Sequence, residues 1–538
     1  MTATIVASLI AAQAQEPAKD ISIIPEPASV ITNEGEFMLT RASAIAVSGQ
    51  ELLGTAAYFS GYMEEYLGYP LEVHVPNNKK KKEAVTAQIT LVNLDNGGTP
   101  GGYQLVVAPE GIAVRGNDAS GVFYGIQSLI QLLPTRAGVL PALPAVAIED
   151  SPRFQYRGMH LDVVRHYFPV SYIKRYIDYL ALHNLNYFHW HLTDDQGWRI
   201  EMKCRPELTD RGANREGEIE GLYPGVYKPL PYGGYYTHEE VREIVKYAAD
   251  RYITIVPEID IPGHNMAVLA VYPEFSTNPD EPRKAALTWG IYNKFNNVLA
   301  PKPEVFAFLT DVFSELCDLF PGPYIHVGGD ECAKKWWKES EQAQAFMKEK
   351  GLKDEKALQS YFIHYVQEVI QAKGKTVIGW DEIMEGGVST DCIVMNWRKQ
   401  QYGTEAARIG HPVIMTSSAW SYFNTKETRR QREVAHRGYL PVEKVYNFQI
   451  IPEELTAEEA QQVIGAQACL WTEYFHTPAK VEKGVFPRLS ALAENVWSTP
   501  EVKSWERFVE KMPVQLDRYD LWGIRYSEAF LQTQDIVR

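Results

Sequence analysis

From about residue 155 the chain alternates short apolar runs with stretches whose apolar positions recur every three to four residues. The runs are Arg157–Val164, Leu185–Leu192, Ile253–Ile259, Tyr324–Val327, Thr376–Gly379, Cys392–Asn396, Pro412–Thr416 and Ile464–Leu470. Their length and near-continuous hydrophobicity read as strands buried on both faces. Between them lie helical periodicities at Val170–Leu182, His238–Ala249, Pro303–Leu319, Glu355–Ala372, Thr404–Ile409 and Ala457–Gln462, with Val485–Trp497 after the last strand. Eight strands alternating with helices over about 350 residues predict an α/β fold, a (β/α)8 barrel enlarged by insertions. Arg205 to Tyr235 and Asn265 to Leu299, rich in Gly, Pro, Asn and Tyr, read as those insertions.

The N-terminal part is patterned differently. Alternating runs at Ala87–Val92, Tyr103–Val107 and Ile112–Val114 precede a helical stretch at Gly121–Leu133, and an earlier helical pattern covers Ala56–Leu67. Residues 22–150 are therefore expected to form a smaller α+β domain, with Pro134–Pro152 as a linker. The barrel is expected over 151–500, and 501–538 as a helical extension packed on it. Residues 1–21 contain an apolar stretch, Thr4–Ala12, and an A-x-A-like site at Ala12–Ala14, but no basic segment before them. That reads as the remnant of a secretion signal, with an exported protein (periplasmic, cell-surface or secreted) as the expectation. No later stretch approaches the ~20 apolar residues of a membrane span.

Charge narrows the partners. There are 53 Lys plus Arg against 68 Asp plus Glu, a formal net charge of −15, and the longest basic run is Lys79–Lys82. Nucleic acid is not an expected partner. The five cysteines are scattered and form no CxxC pair, so neither a disulfide framework nor a structural zinc site is expected.

A barrel does its chemistry where the βα loops converge, at the C-terminal ends of its strands. In chain order those ends offer Arg165-His166; Asp194-Asp195-Gln196-Gly197-Trp198; Glu258-Ile259-Asp260 leading to His264; Gly328-Gly329-Asp330-Glu331; Trp380-Asp381-Glu382; Trp397; Tyr422 and Asn424; and Trp471-Thr472-Glu473. Acids transfer protons and bind hydroxyls, and indole faces stack on sugar rings, so the inventory points to a glycoside-processing site. The runs YRGMHLDVVRHYF (Tyr156–Phe168), HWHLTDDQGWR (His189–Arg199), PEIDIPGH (Pro257–His264), HVGGDE (His326–Glu331) and LWTE (Leu470–Glu473) together resemble family 20 glycoside hydrolases, the β-N-acetylhexosaminidases. Five motifs in order span nearly the whole barrel. Residues 22–150, with Ser120–Gly125, resemble the α+β domain that commonly precedes it.

The resemblance implies an exo-acting, retaining hydrolase that removes a terminal β-linked N-acetylhexosamine from an oligosaccharide or glycoconjugate. It implies Glu331 as general acid/base, and Asp330 and Tyr422 as the groups that hold the substrate's own 2-acetamido group as nucleophile. It implies Arg165 as a fork on two sugar hydroxyls, Asp194 and His264 as groups orienting the acid/base, and Glu473 for the outer hydroxyls. Trp380, Trp397 and Trp471 would wall the pocket. Asn424 stands where some members have Asp, which leaves gluco versus galacto preference open. Alternation along a strand would point Asp330 and Glu331 opposite ways and let them divide the work.

Two other classes stay in view. Disaccharide release is a variant within the enzyme class, and a carbohydrate-binding protein with a degenerate site is disfavoured because Arg165, Asp330, Glu331 and Tyr422 are all present. His189-Trp190-His191 could be a metal pair on one strand face. A metal amidohydrolase would need later histidines and a final aspartate, where this chain has Trp, Trp, Tyr and Trp-Thr-Glu. The two histidines read as buried, hydrogen-bonded residues of the barrel interior, and neither metal nor cofactor is expected.

Overall fold

The computed structural model describes residues 21–75, 87–138, 140–222, 224–287, 294–431 and 433–534. The signal-like segment and Lys79–Lys82 lie outside the described residues. The chain divides into two compact units, Met1–Arg153 with Trp497–Ile524, and Phe154–Val496 with Arg525–Arg538.

The first unit is built on a seven-stranded mixed sheet in the order Ser29–Met38, Ala142–Asp150, Tyr103–Ala108, Gly111–Gly116, Ile89–Asn93, Ala44–Val47, Glu72–His74. Tyr103–Ala108 buries every second residue, as its alternation requires. The helix Ala119–Leu132 starts at Asp118, whose carboxylate accepts from the Gly121 amide at 2.9 Å. Two expectations are corrected here. The linker Pro134–Pro152 contains the strand Ala142–Asp150, which pairs antiparallel with both Ser29–Met38 and Tyr103–Ala108. Pro144 masked it, and is tolerated because it pairs with Glu36 at a register shift, where a missing N–H breaks no regular ladder. The helix Trp505–Leu521 belongs to this first unit, not to the barrel as its place in the chain suggested. Its Arg518 is buried and donates to the Gln131 carbonyl at 2.6 Å and to Gln515 Oε1 at 3.0 Å.

The second unit is a closed barrel of eight parallel strands: Tyr156–Asp162, Tyr187–His191, Thr254–Ile261, Tyr324–Gly328, Thr376–Trp380, Ile393–Asn396, Val413–Met415 and Val463–Ala468, the last pairing with the first. All eight apolar runs are strands. The helices Val170–Leu182, His238–Ala249, Pro303–Leu319 and Glu355–Ala372 also form where the periodicity places them. Register sets what meets inside. Asp162 pairs with His191, His191 with Glu258, and Glu258 with His326, so four polar residues from four adjacent strands stand at one level.

Candidate active site

At the C-terminal mouth of the barrel is a cavity of about 460 Å³. Arg165, Asp194, His264, Asp330, Glu331, Trp397, Tyr422, Asn424, Trp471 and Glu473 all line it, although they come from seven different strand ends. Trp380 does not. It is 1% exposed, packs against the Trp471 ring at 6.0 Å and donates its Nε1–H to Glu258 Oε1 at 2.8 Å. It backs the pocket from inside the barrel.

The fourth strand stops at Gly328, so the alternation argument for Asp330 and Glu331 does not apply. Gly328 has φ 66° and Gly329 φ 97°, and a Cβ on Gly328 would lie 1.8 Å from Asp260 Oδ1. Only glycine lets the chain turn here with Asp260 in place. Glu331 follows at φ 45°, a left-handed conformation costing roughly 1–2 kcal/mol for a residue with a Cβ. The turn brings both carboxylates to one imidazole: His264 Nε2 is 3.6 Å from Asp330 Oδ2 and 3.6 Å from Glu331 Oε2. Asp330 is 13% exposed at its side chain and Glu331 35%, so one sits in the floor and the other at the mouth.

A chain of charges runs back from this point. His264, itself at φ 53°, turns Nδ1 towards Asp194 Oδ1 (3.1 Å) and Asp195 Oδ2 (3.2 Å). Asp194 Oδ2 takes Arg165 Nη2 at 2.7 Å and His191 Nε2 at 3.0 Å. Arg165 also reaches Asp162 at 3.3 Å and lies over the Trp471 ring at 5.1 Å. His191 Nδ1 meets Glu258, which further holds His189 Nε2 at 3.0 Å and His326 Nδ1 at 3.1 Å. The two histidines of H-W-H are thus interior residues tied to a buried carboxylate.

Burial opposes every one of these charges, and the partners decide the outcome. Burial works against the His264 cation, but Asp194 and Asp330 lift its pKa well above the usual histidine range. His191 is likewise raised, to about 10, by Glu258 and then Asp194 against the effect of burial. Asp194 and Glu258 are held well below the usual carboxylate range despite burial, by Arg165 and by His191 respectively. Asp330 goes the other way. Burial raises it, opposed by His264 and reinforced by Glu331. Asp260 is raised well above the carboxylate range by burial and by Asp330. Burial also lifts the Tyr422 phenol well above its ordinary value, keeping it a neutral donor.

Aromatic walls complete the pocket. Tyr422 and Trp397 lie nearly parallel with centroids 6.2 Å apart, and Trp471 stands 6.3 Å from Tyr422. Trp397 is fixed by its Nε1–H on Glu382 at 2.8 Å. Both insertions brace the floor. From the first, Arg215 donates to the Arg165 carbonyl at 2.7 Å; from the second, Asn297 donates to Asp195 at 3.1 and 3.2 Å.

The sequence assigned no role to Asp162, Glu258 or Asp260, and it placed His191 as a buried, hydrogen-bonded residue without its partners Glu258 and Asp194. Strand parity carried a signal, since Glu258 and Asp260 are two apart and share the inward face. Their partners come from other strands and could not be read from it.

A pocket of acids and indoles at the C-terminal mouth of a (β/α)8 barrel defines the class as a glycoside hydrolase. Residues 154–500 match "Glycosyl hydrolase family 20, catalytic domain", and residues 20–151 match "Glycosyl hydrolase family 20, domain 2". The chain belongs to that family. A beta-hexosaminidase of Porphyromonas gingivalis is 39% identical over 96% of this chain, which spans 65% of that relative's length. One from Vibrio furnissii is 35% identical over 89% of this chain and 77% of its own. The crystal structure of a family 20 exo-β-N-acetylglucosaminidase from Vibrio harveyi in complex with N-acetylglucosamine superposes with a TM-score of 0.83, at 29% identity, covering 96% of this chain and 79% of that one. No helix among the described residues is long and apolar enough to cross a membrane.

Proposed function

We propose that this protein removes terminal β-linked N-acetylhexosamine from the non-reducing ends of glycans, with retention, using the substrate's 2-acetamido oxygen as nucleophile. The observation that carries the proposal is the convergence of Asp330 and Glu331 on a single cationic histidine inside a closed-backed aromatic pocket. Glu331, at the mouth, protonates the departing glycosidic oxygen and then takes a proton from the attacking water. Asp330, in the floor, accepts from the acetamide N–H and offsets the positive charge that develops as the oxazolinium ring closes. The Tyr422 hydroxyl donates to the acetamide oxygen. His264 and Asp194 hold the acid/base in place, Trp397 and Trp471 enclose the sugar, and Arg165, Asn424 and Glu473 take its hydroxyls.

A panel of chromogenic β-glycosides tests the reading. Hydrolysis of N-acetylglucosaminide or N-acetylgalactosaminide should exceed that of the plain glucoside by orders of magnitude, because a 2-hydroxyl cannot replace the acetamide oxygen. Equal rates would overturn it. The apolar Thr4–Ala12 stretch and the Ala12–Ala14 site support work outside the cytoplasm, which fractionation of expressing cells checks.

A further inference from the structure

Three basic side chains converge on Asp194, and the chemistry proposed above gives tasks to only two of them. Arg165 and His264 line the pocket; His191 does not, and its side chain is 0% exposed. It ends the second strand, Tyr187–His191, and turns Nε2 to Asp194 Oδ2 at 3.0 Å and Nδ1 to Glu258 Oε2. An ionised carboxylate only accepts, so an imidazole that donates to one at each nitrogen carries both ring protons and a positive charge. Burial works against that charge, but Glu258 and Asp194 outweigh it and lift the pKa to about 10. From the first strand, His160 stands 5.7 Å away ring to ring and stays neutral, pushed well below its usual pKa by burial and by the imidazoles around it. Asp162 is occupied by the Val164 amide at 2.7 Å, the Thr472 amide at 3.0 Å and Arg165 at 3.3 Å. Glu258 is itself pinned. Trp380 Nε1 donates to its Oε1 at 2.8 Å, His326 Nδ1 lies 3.1 Å from the same oxygen, and His189 Nε2 lies 3.0 Å from the other.

Asp194 serves both halves of the site. Its Oδ2 takes Arg165 Nη2 at 2.7 Å beside His191, and its Oδ1 takes His264 Nδ1 at 3.1 Å. In the proposed function Arg165 acts on the sugar hydroxyls and His264 on the acid/base. One rotation of the Asp194 carboxylate moves both contacts, and a fixed charged donor on Oδ2 from behind stops that rotation. We propose that His191 is a positioning residue: wedged between Glu258 and Asp194, it fixes the Asp194 carboxylate so that Arg165 and His264 are held in register with each other, and it does so without touching substrate. The inference deepens the proposed function and rests on it. Without His191, Arg165 and His264 pull on a carboxylate that is free to turn, and sugar binding and proton transfer lose their geometry together.

The test compares wild type, His191→Gln and His189→Gln on an activated aryl N-acetyl-β-glucosaminide and on the β-1,4-linked disaccharide of N-acetylglucosamine, whose leaving group needs protonation. His191→Gln should raise KM, and the Kd for N-acetylglucosamine read by calorimetry, about tenfold, the value of one hydrogen bond to a charged group. It should also cut kcat on the disaccharide about tenfold more than on the aryl glycoside, since a misplacement of about 1 Å costs on the order of 100-fold. His189→Gln removes an equally buried ring from Glu258 but touches nothing on Asp194. It should lower the melting temperature and leave KM, Kd and the substrate ratio at wild type. In an Asp194→Asn background His191→Gln should cost little further. Glu258→Gln keeps the shape behind His191 and removes the charge, so it should shift the same quantities in the same direction by less, and it replaces His191→Gln if that variant does not fold. Equal losses on the two substrates with KM and Kd unchanged, in whichever of the two folds, or an undiminished cost in the Asp194→Asn background, would overturn the positioning role. A wild type that binds N-acetylglucosamine but cleaves neither substrate would refute the proposed function, and the Kd comparison would still judge His191.

Discussion

His264 holds one nitrogen against Asp194 and Asp195 and turns the other to Asp330 and Glu331, so its charge is held from behind and faces both carboxylates in front. That geometry lets the roles proposed for Asp330 and Glu331 be separated experimentally. Glu331→Gln should cripple cleavage of glycosides with poor leaving groups far more than activated aryl glycosides, since only the former need protonation. Equal losses would make Glu331 a binding group. Asp330→Asn keeps shape and removes charge, so it should lose turnover together with most of the extra affinity for a thiazoline mimic of the bicyclic intermediate. A sugar covalently attached to Asp330 would refute substrate assistance. His191 provides a stability test. Its pKa is raised to about 10, so its contribution is complete below the free-histidine value near 6.5 and fades as pH climbs through about 10. Glu258 is depressed, so its contribution is complete above the free-carboxylate value near 4.5 and is lost in acid. The gap in melting temperature between wild type and His191→Gln should therefore be widest at about pH 5–6 and should shrink by pH 9–10. A gap independent of pH would show that His191 acts by packing alone.

Among the elements, the turn after the fourth strand is the one that most constrains the site. Gly328→Ala puts a methyl group into the Asp260 carboxylate and onto a left-handed backbone. It should cost several kcal/mol, about what an overpacked and strained core position costs, and remove most activity. Gly387 is the control, because it has φ 89° and nothing within 4 Å of a built Cβ. Gly387→Ala should cost only the backbone strain of its glycine-favouring φ 89°, ψ 129° conformation, about 1–3 kcal/mol, and leave kcat/KM near wild type. Matching melts for the two variants would show that the Asp260 contact is irrelevant.

Across the whole molecule, chain order and unit membership part company at residue 497. The helix Trp505–Leu521 completes the N-terminal unit through Arg518, which burial lowers to a pKa of about 10, still cationic at neutral pH. Arg518→Met should leave the Gln131 carbonyl without this donor and destabilise that unit by about 1–3 kcal/mol. Calorimetry should register this as a lower melting transition while kcat at 25 °C stays unchanged. An unaltered melt would show that the helix is held by its apolar face alone.

Local pattern was enough for the elements of the barrel and for the residues at its mouth. Val170–Leu182 and Pro303–Leu319 were readable because their apolar spacing is helical and each terminus carries a break. Arg165, Asp194, Asp330 and Glu473 were readable because a parallel barrel must present its strand ends on one face. The strand Ala142–Asp150 escaped because Pro144 speaks against a strand until the register shift opposite it is known. The placing of Trp380 behind the pocket and the three histidines around Glu258 escaped for a different reason. Each depends on which strands become neighbours and at what register, and those are contacts between positions up to 122 residues apart. Periodicity reports which face of an element is buried; it carries no record of what that face is buried against.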